Sequence, residues 1–258
     1  GTGVNTASYS GASKGFEVSV SAGQQVIIVK DRLGMEGQDT VSHVQFLHFA
    51  DQTLDAATLV DAASLAPSAF VPLIDLYNAY LHRAPDAVGI GYWASRLSDG
   101  MTLNDIAKSF FASAEAAAAR EPGQSFTALV TSAYNDILGR APDAGGLSYW
   151  VAELQTGRMA PEKFPLAFVL GAHAAGGADA QSLASLENIG AYYALEQGLN
   201  NVEHARAILD LPSGSAVIDV EAARGQIDGY AAAAASPASA ELVVKLVGVH
   251  ADEIAPLT

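Results

Sequence analysis

Leu138-Gly-Arg-Ala-Pro-Asp-Ala-Gly-Gly-Leu-Ser-Tyr-Trp150 decides how this chain is read, because most of it has already occurred once, at Leu81-His-Arg-Ala-Pro-Asp-Ala-Val-Gly-Ile-Gly-Tyr-Trp93. A shift of 57 positions lays Tyr77–Gly100 on Tyr134–Gly157, and 13 of the 24 paired positions are identical. An internal repeat takes precedence over local propensity when a fold is inferred, since each copy must be one supersecondary unit.

Each copy predicts helix, tight corner, helix. Tyr134 and Leu138 lie one turn apart on a first helix. Leu147, Trp150, Val151 and Leu154 form an i, i+3, i+4, i+7 face on a second, and the two faces should pack together. Asp143 follows Pro142 where an N-cap carboxylate accepts amide hydrogen bonds and meets the positive end of the helix dipole, worth about 1 kcal/mol. Arg140 is placed to cap the preceding helix or to pair with Asp143, and Gly157 to leave the helix through left-handed backbone. On this reading Arg83, Asp86, Trp93, Arg140, Asp143 and Trp150 build the unit. The alternative puts the Arg–Asp pairs on the surface beside Tyr92 and Tyr149, whose rings would stack on sugars. If the shared residues build the unit, a binding site is expected where the copies differ, near Tyr80, His82, Arg96 and Arg158, with Tyr92, Tyr149, Tyr192 and Tyr193 as further candidate ligand contacts.

Outward from the repeat, the period changes. Phe16, Val18 and Val20 alternate with polar residues, and Val26–Val29 is continuously apolar, so a hairpin turning near Ala22-Gly23 is expected, with a further strand at Val44–Phe49. From Leu54 on, the spacing is helical. Prolines 67, 72, 85, 122, 142, 161 and 165 mark helix ends, and Ala112–Ala119 has the strongest helix propensity. Leu186–Leu199 and Val202–Leu211 predict two more helices, and Glu241–Val249 one late strand. The fold class is therefore mainly α with an N-terminal antiparallel β portion (α+β), duplicated helix-turn-helix units and one C-terminal strand. Its segments are 1–56, 57–211 and 212–258.

With half of its 258 residues apolar, the chain can bury a large core. A formal charge of −15, with the 13 basic residues scattered singly, argues against a nucleic-acid partner. Cysteine is absent, which removes disulfides and thiolate chemistry and suits a chain exported unfolded. No transmembrane span is expected: the longest apolar run, Phe164–Ala178, contains Pro165 and His173 and is short of about 20 residues. The start, Gly1-Thr-Gly, shows no leader and is read as that of a mature or excised piece.

Histidines 43, 48, 82, 173, 204 and 250 form no His-x-x-x-His pair, and His43 and His48 fall on opposite faces of a predicted strand. No Gly-x-Ser-x-Gly elbow occurs, and Gly11–Gly15 lacks the ending of a phosphate loop. No catalytic residue is assigned; a hydrolase using two of the 28 acids is the least favoured reading. Calcium is the one cofactor with an argument, at Asp31, Glu36 and Asp39 in a glycine-broken loop. A solvated acidic hairpin is the plainer account of the same residues.

The string at 138–150 resembles the phycobilisome-linker-like helical domain of unknown function found in secreted bacterial proteins with RTX calcium repeats and in S-layer proteins. Glu187–Ala194 and Gly198–Asn200 resemble the helix that follows in that family, whereas His82 departs from it by standing where glycine is expected. Gly1–Asn5, Ala7–Gly11, Asp39–Val41 and Phe49–Asp55 look like the end of an RTX-type region, and Val243–Val249 like the last strand of such chains. The resemblance implies a type I secreted or cell-surface protein, usually non-catalytic, that binds a glycan, lipopolysaccharide or another surface protein. The second reading is a self-assembling or spacer segment of an adhesin or S-layer-like protein, whose exposed apolar patches or strand edges meet copies of itself.

Overall fold

A computed structural model describes residues 3–21, 25–34, 36–120, 123–209 and 218–255. The N-terminal part holds strands β1 (Thr6–Ser8), β2 (Phe16–Ser21), β3 (Val26–Asp31), β4 (Gln38–Ser42), β5 (Phe46–His48) and β6 (Thr53–Asp55). Helices α1 (Ala56–Ala63), α2 (Val71–Leu81), α3 (Ala87–Ser98), α4 (Leu103–Ala112) and α5 (Ala114–Ala119) follow. Next come α6 (Phe126–Leu138), α7 (Ala144–Gln155), α8 (Phe164–Ala175), α9 (Gly177–Ala191) with a π-helical turn Tyr192–Glu196, and α10 (Val202–Ala207). The chain closes with α11 (Val220–Ala234), β7 (Val243–Val247) and α12 (Ala251–Ile254). The class is α+β, as the change of period predicts. Among the described residues no single helix is long and apolar enough to cross a membrane.

The β2–β3 hairpin is antiparallel and alternates as expected, with Phe16, Val18 and Val20 buried; the expected turn at Ala22-Gly23 lies outside the described residues. Two pairings are not antiparallel: β1 runs parallel to β5, and β2 runs parallel to β7. The late strand thus completes the order β4-β3-β2-β7, joining the two ends of the chain in one sheet. Alternation reveals which face of a strand is buried, not which strand lies beside it, so these partners were invisible in the sequence.

Prolines behave as punctuation: Pro72 and Pro165 sit in the first turns of α2 and α8, and Pro85 and Pro142 directly precede N-caps. Pro122 and the expected helix end at Leu211 lie outside the described residues. The Ala-rich stretch is helical except at Ser113, which leaves the helical conformation (ψ 150°) between α4 and α5 and caps α5, its Oγ accepting from Ala116 N at 3.1 Å. Two expectations need correction. The helix expected from Leu186 begins at Gly177. Ser182, Ser185, Glu187 and Asn188 are buried along with its apolar residues, so α9 is enclosed on most sides and shows no amphipathic period. His43 is not on a strand: it occupies left-handed backbone (φ 56°) between β4 and β5, while His48 Nδ1 lies 2.8 Å from Thr53 Oγ1.

Candidate functional site

The two copies reproduce each other in space. Asp86 and Asp143 are N-caps, accepting from Gly89 N at 2.7 Å and Gly146 N at 2.8 Å. Gly100 and Gly157 stand just past α3 and α7 at φ 92° and 71°. Gly89 and Gly146 are held by contact rather than torsion: a Cβ on Gly89 would stand 2.5 Å from the Tyr77 hydroxyl, and one on Gly146 closer still to that of Tyr134. His82 adopts the left-handed conformation (φ 51°) that Gly139 adopts in the second copy (φ 65°), so the corner survives the substitution at a cost in strain.

The unit is larger than the helix pair read from sequence. Phe110 of α4 packs on Tyr77 and Trp93, with ring centroids 4.9 and 5.2 Å apart, and Phe168 of α8 packs on Tyr134 and Trp150 at 4.9 and 6.1 Å. Each repeated arginine reaches past its neighbouring aspartate to a carboxylate far downstream. Arg83 makes a bidentate pair with Glu115 at 2.7 and 3.2 Å, and Arg140 with Asp179 at 2.7 Å on both nitrogens. Arg140 Nη1 is 3.8 Å from Asp143, so the expected local pair is the weaker contact.

Of the candidate ligand contacts, Tyr193 and Tyr80 do not present their rings to solvent. Tyr193 is fully buried, its hydroxyl donating to Asn201 O at 2.6 Å, because α9 and its π turn run through the interior. Tyr80 is 5% exposed and donates to Glu162 O, and burial pushes its hydroxyl up to about 12. Tyr192 is half-buried, donating to Asp228 at 2.7 Å beneath the Arg224 guanidinium. Tyr92 and Tyr149 are exposed; Arg96 covers the Tyr92 ring at 4.9 Å, and Arg158 pairs with Glu153 at 2.8 Å. The three acids read for calcium do not converge. Asp31 is buried and accepts from Leu33 N and Glu36 N, Glu36 accepts from Ser10 Oγ and Gly11 N, and Asp39 stands exposed on β4 opposite Val29.

Where the copies meet, a cavity of about 510 Å³ opens between the end of α2, the end of α4, α5, α6 and the residues entering α8. Tyr80, Phe111, Phe126, Ile137 and Phe164 give it apolar walls, while His82, Arg120, Gln124 and Asp136 bring polar groups. The Arg120 guanidinium lies 3.8 Å above the Phe111 ring, and His82 is 3.8 Å from Asp136. Tyr80 and His82 were named from sequence as positions where the copies differ. Phe111, Arg120 and Asp136 were not, for they lie on three different elements.

Residues 61–120 match a domain of unknown function, DUF4214, and residues 107–175 match it again. No curated protein and no solved structure matches the chain. The two DUF4214 matches take in α4 and α8, in keeping with the three-helix unit, and overlap at 107–120, where α4 and α5 pass from one copy to the next.

One polar cluster was missed altogether. Asp75 on α2, His173 on α8 and Glu187 on α9 bring His173 Nε2 within 3.0 Å of Asp75 Oδ2 and 3.1 Å of Glu187 Oε1. The carboxylates of Asp75 and then Glu187 hold the imidazole up at about 10, and burial pushes the Asp75 carboxyl up to about 6. The three residues are separated by 98 and 14 positions, so no motif spacing could have announced them.

Proposed function

We propose that this chain is a non-catalytic binding module of a secreted or cell-surface protein, and that a glycan segment enters the cavity between the two DUF4214 copies. The cavity itself carries the reading: about 510 Å³ falls in the usual range of ligand pockets, roughly 300–1,000 Å³. Aromatic and aliphatic walls with a few charged and amide groups match a sugar, whose ring has apolar C–H faces and a hydroxyl-bearing edge. The acidic, cysteine-free composition and the resemblance to phycobilisome-linker-like domains of RTX-type and S-layer proteins support placement outside the cell.

Ala117 is an exposed cavity-lining position on α5, and Ser132 a half-buried one on α6. Tryptophan at either fills the cavity from its edge without removing a core side chain. A glycan array followed by calorimetric titration of the selected glycan should show at least a tenfold loss of affinity in Ala117→Trp and Ser132→Trp, with Tyr92→Ala unchanged. Loss confined to Tyr92→Ala, or absence of any glycan binding, overturns the reading.

A further inference from the structure

We infer that Asp75, His173 and Glu187 form a binding site for a divalent transition ion, with zinc the best fit. Three helices from distant parts of the chain converge to place one nitrogen and two carboxylate oxygens within 4.8 Å of one another. Atoms coordinated tetrahedrally at about 2.0–2.1 Å from zinc lie roughly 3.4 Å apart, and the two shortest spacings here, 3.0 and 3.1 Å, need only open slightly to admit the ion.

A plain ion pair explains this arrangement less well, for three reasons. First, His173 Nε2 carries at most one proton, yet two carboxylate oxygens approach that same nitrogen; Asp75 takes the aligned hydrogen bond, and Glu187 Oε1 stands 3.1 Å off without an aligned donor. Second, Asp75 Oδ1 is also unpartnered although the residue is 2% exposed, and Glu187 is 4% exposed. Buried carboxylate oxygens without donors are rare in native structures, and a cation is one of the few groups that satisfies them. Third, two buried carboxylates facing one imidazole exceed the charge it can offset, so the cluster must take up a shared proton or a cation, and a divalent ion bound by neutral imidazole leaves no charge uncompensated.

An imidazole nitrogen with two carboxylates suits zinc better than calcium, which prefers an all-oxygen set. His173 has a third of its side chain exposed, so the cluster borders solvent on that side. Asn78, one turn beyond Asp75 on the same helix face, is 3% exposed with both amide atoms unpartnered, so the polar demand of this region extends beyond the three ligands. The site has no repeat-related twin at Asp75: a shift of 57 positions puts Ser132 in its place.

The test uses the untagged full chain, stripped with a chelator and titrated with zinc by calorimetry and with cobalt by visible absorption. One equivalent of zinc per chain, a raised Tm and a tetrahedral cobalt spectrum are expected. Asp75→Asn and Glu187→Gln keep side-chain size and should weaken zinc by at least the roughly 10–100-fold that changes beyond the ligands cost, while His204→Gln should not. Wild-type protein that takes up neither ion, or variants that bind as tightly as wild type, overturn the site. The cobalt spectrum of the wild type decides the matter even if a variant fails to fold.

Discussion

Arg83 and Arg140 occupy equivalent places in the two copies, yet the Arg83 side chain is 5% exposed whereas that of Arg140 is 35% exposed. The surroundings make the difference. Around the first corner, Ala84 N donates to Ala205 O at 3.0 Å, Ala87 N to Leu199 O at 2.9 Å and Val88 N to Asn200 Oδ1 at 2.8 Å, while Arg206 joins Arg83 on Glu115. The second corner keeps Ala141, Asp143 and Ala144 exposed. One motif thus serves as a core element in the first copy and as a surface element in the second. A repeat encodes its own local geometry; its energetic weight depends on what later segments lay over it.

Replacing the two arginines is the strongest way to break this comparison. Arg83→Met removes the buried guanidinium from half-buried Glu115 and Asp86, leaving Glu115 to Arg206 alone, and should cost about 2–3 kcal/mol, whereas Arg140→Met should cost about 1 kcal/mol or less, as partly exposed pairs do. Urea denaturation of both variants measures the ratio, and equal losses would erase the distinction. Next come the close-approach glycines. Gly89→Ala drives a methyl group into the enclosed Tyr77 hydroxyl and should cost about 2 kcal/mol, with Gly146→Ala milder because Tyr134 lies beside the exposed corner.

A smaller effect is expected at the left-handed position. His82→Gly should stabilise by about 1 kcal/mol and Gly139→Ala destabilise by a similar amount, since only glycine takes this conformation without strain. The exposed His82–Asp136 pair offsets little of that gain. The smallest effect is in acid. Burial raises the Glu115 carboxyl, but its bonds to Arg83 and Arg206 outweigh it and hold the group below its ordinary 4.5. A depressed carboxylate contributes stability that is present above the unfolded value and lost as pH falls through the folded one. Thermal melts between pH 5 and 3 should therefore fall less steeply for Glu115→Gln than for wild type.

What the sequence determined by itself is what local spacing controls. The helix pair, its Asp86 and Asp143 caps, its exit glycines, the β2–β3 hairpin and the late strand all rest on interactions within a few residues, which repeat wherever the residues repeat. Only tertiary structure decided the rest. The parallel seat of β7 beside β2, the Arg83–Glu115 and Arg140–Asp179 pairs, the burial of Tyr193 and the meeting of Asp75, His173 and Glu187 each join residues distant in sequence. Such contacts depend on which helices pack together, and no period or spacing along one segment carries that information. The cavity belongs to both kinds. Tyr80 and His82 stood out as the places where two copies of one motif disagree, but only the packing of α5 and α6 against them made a space there.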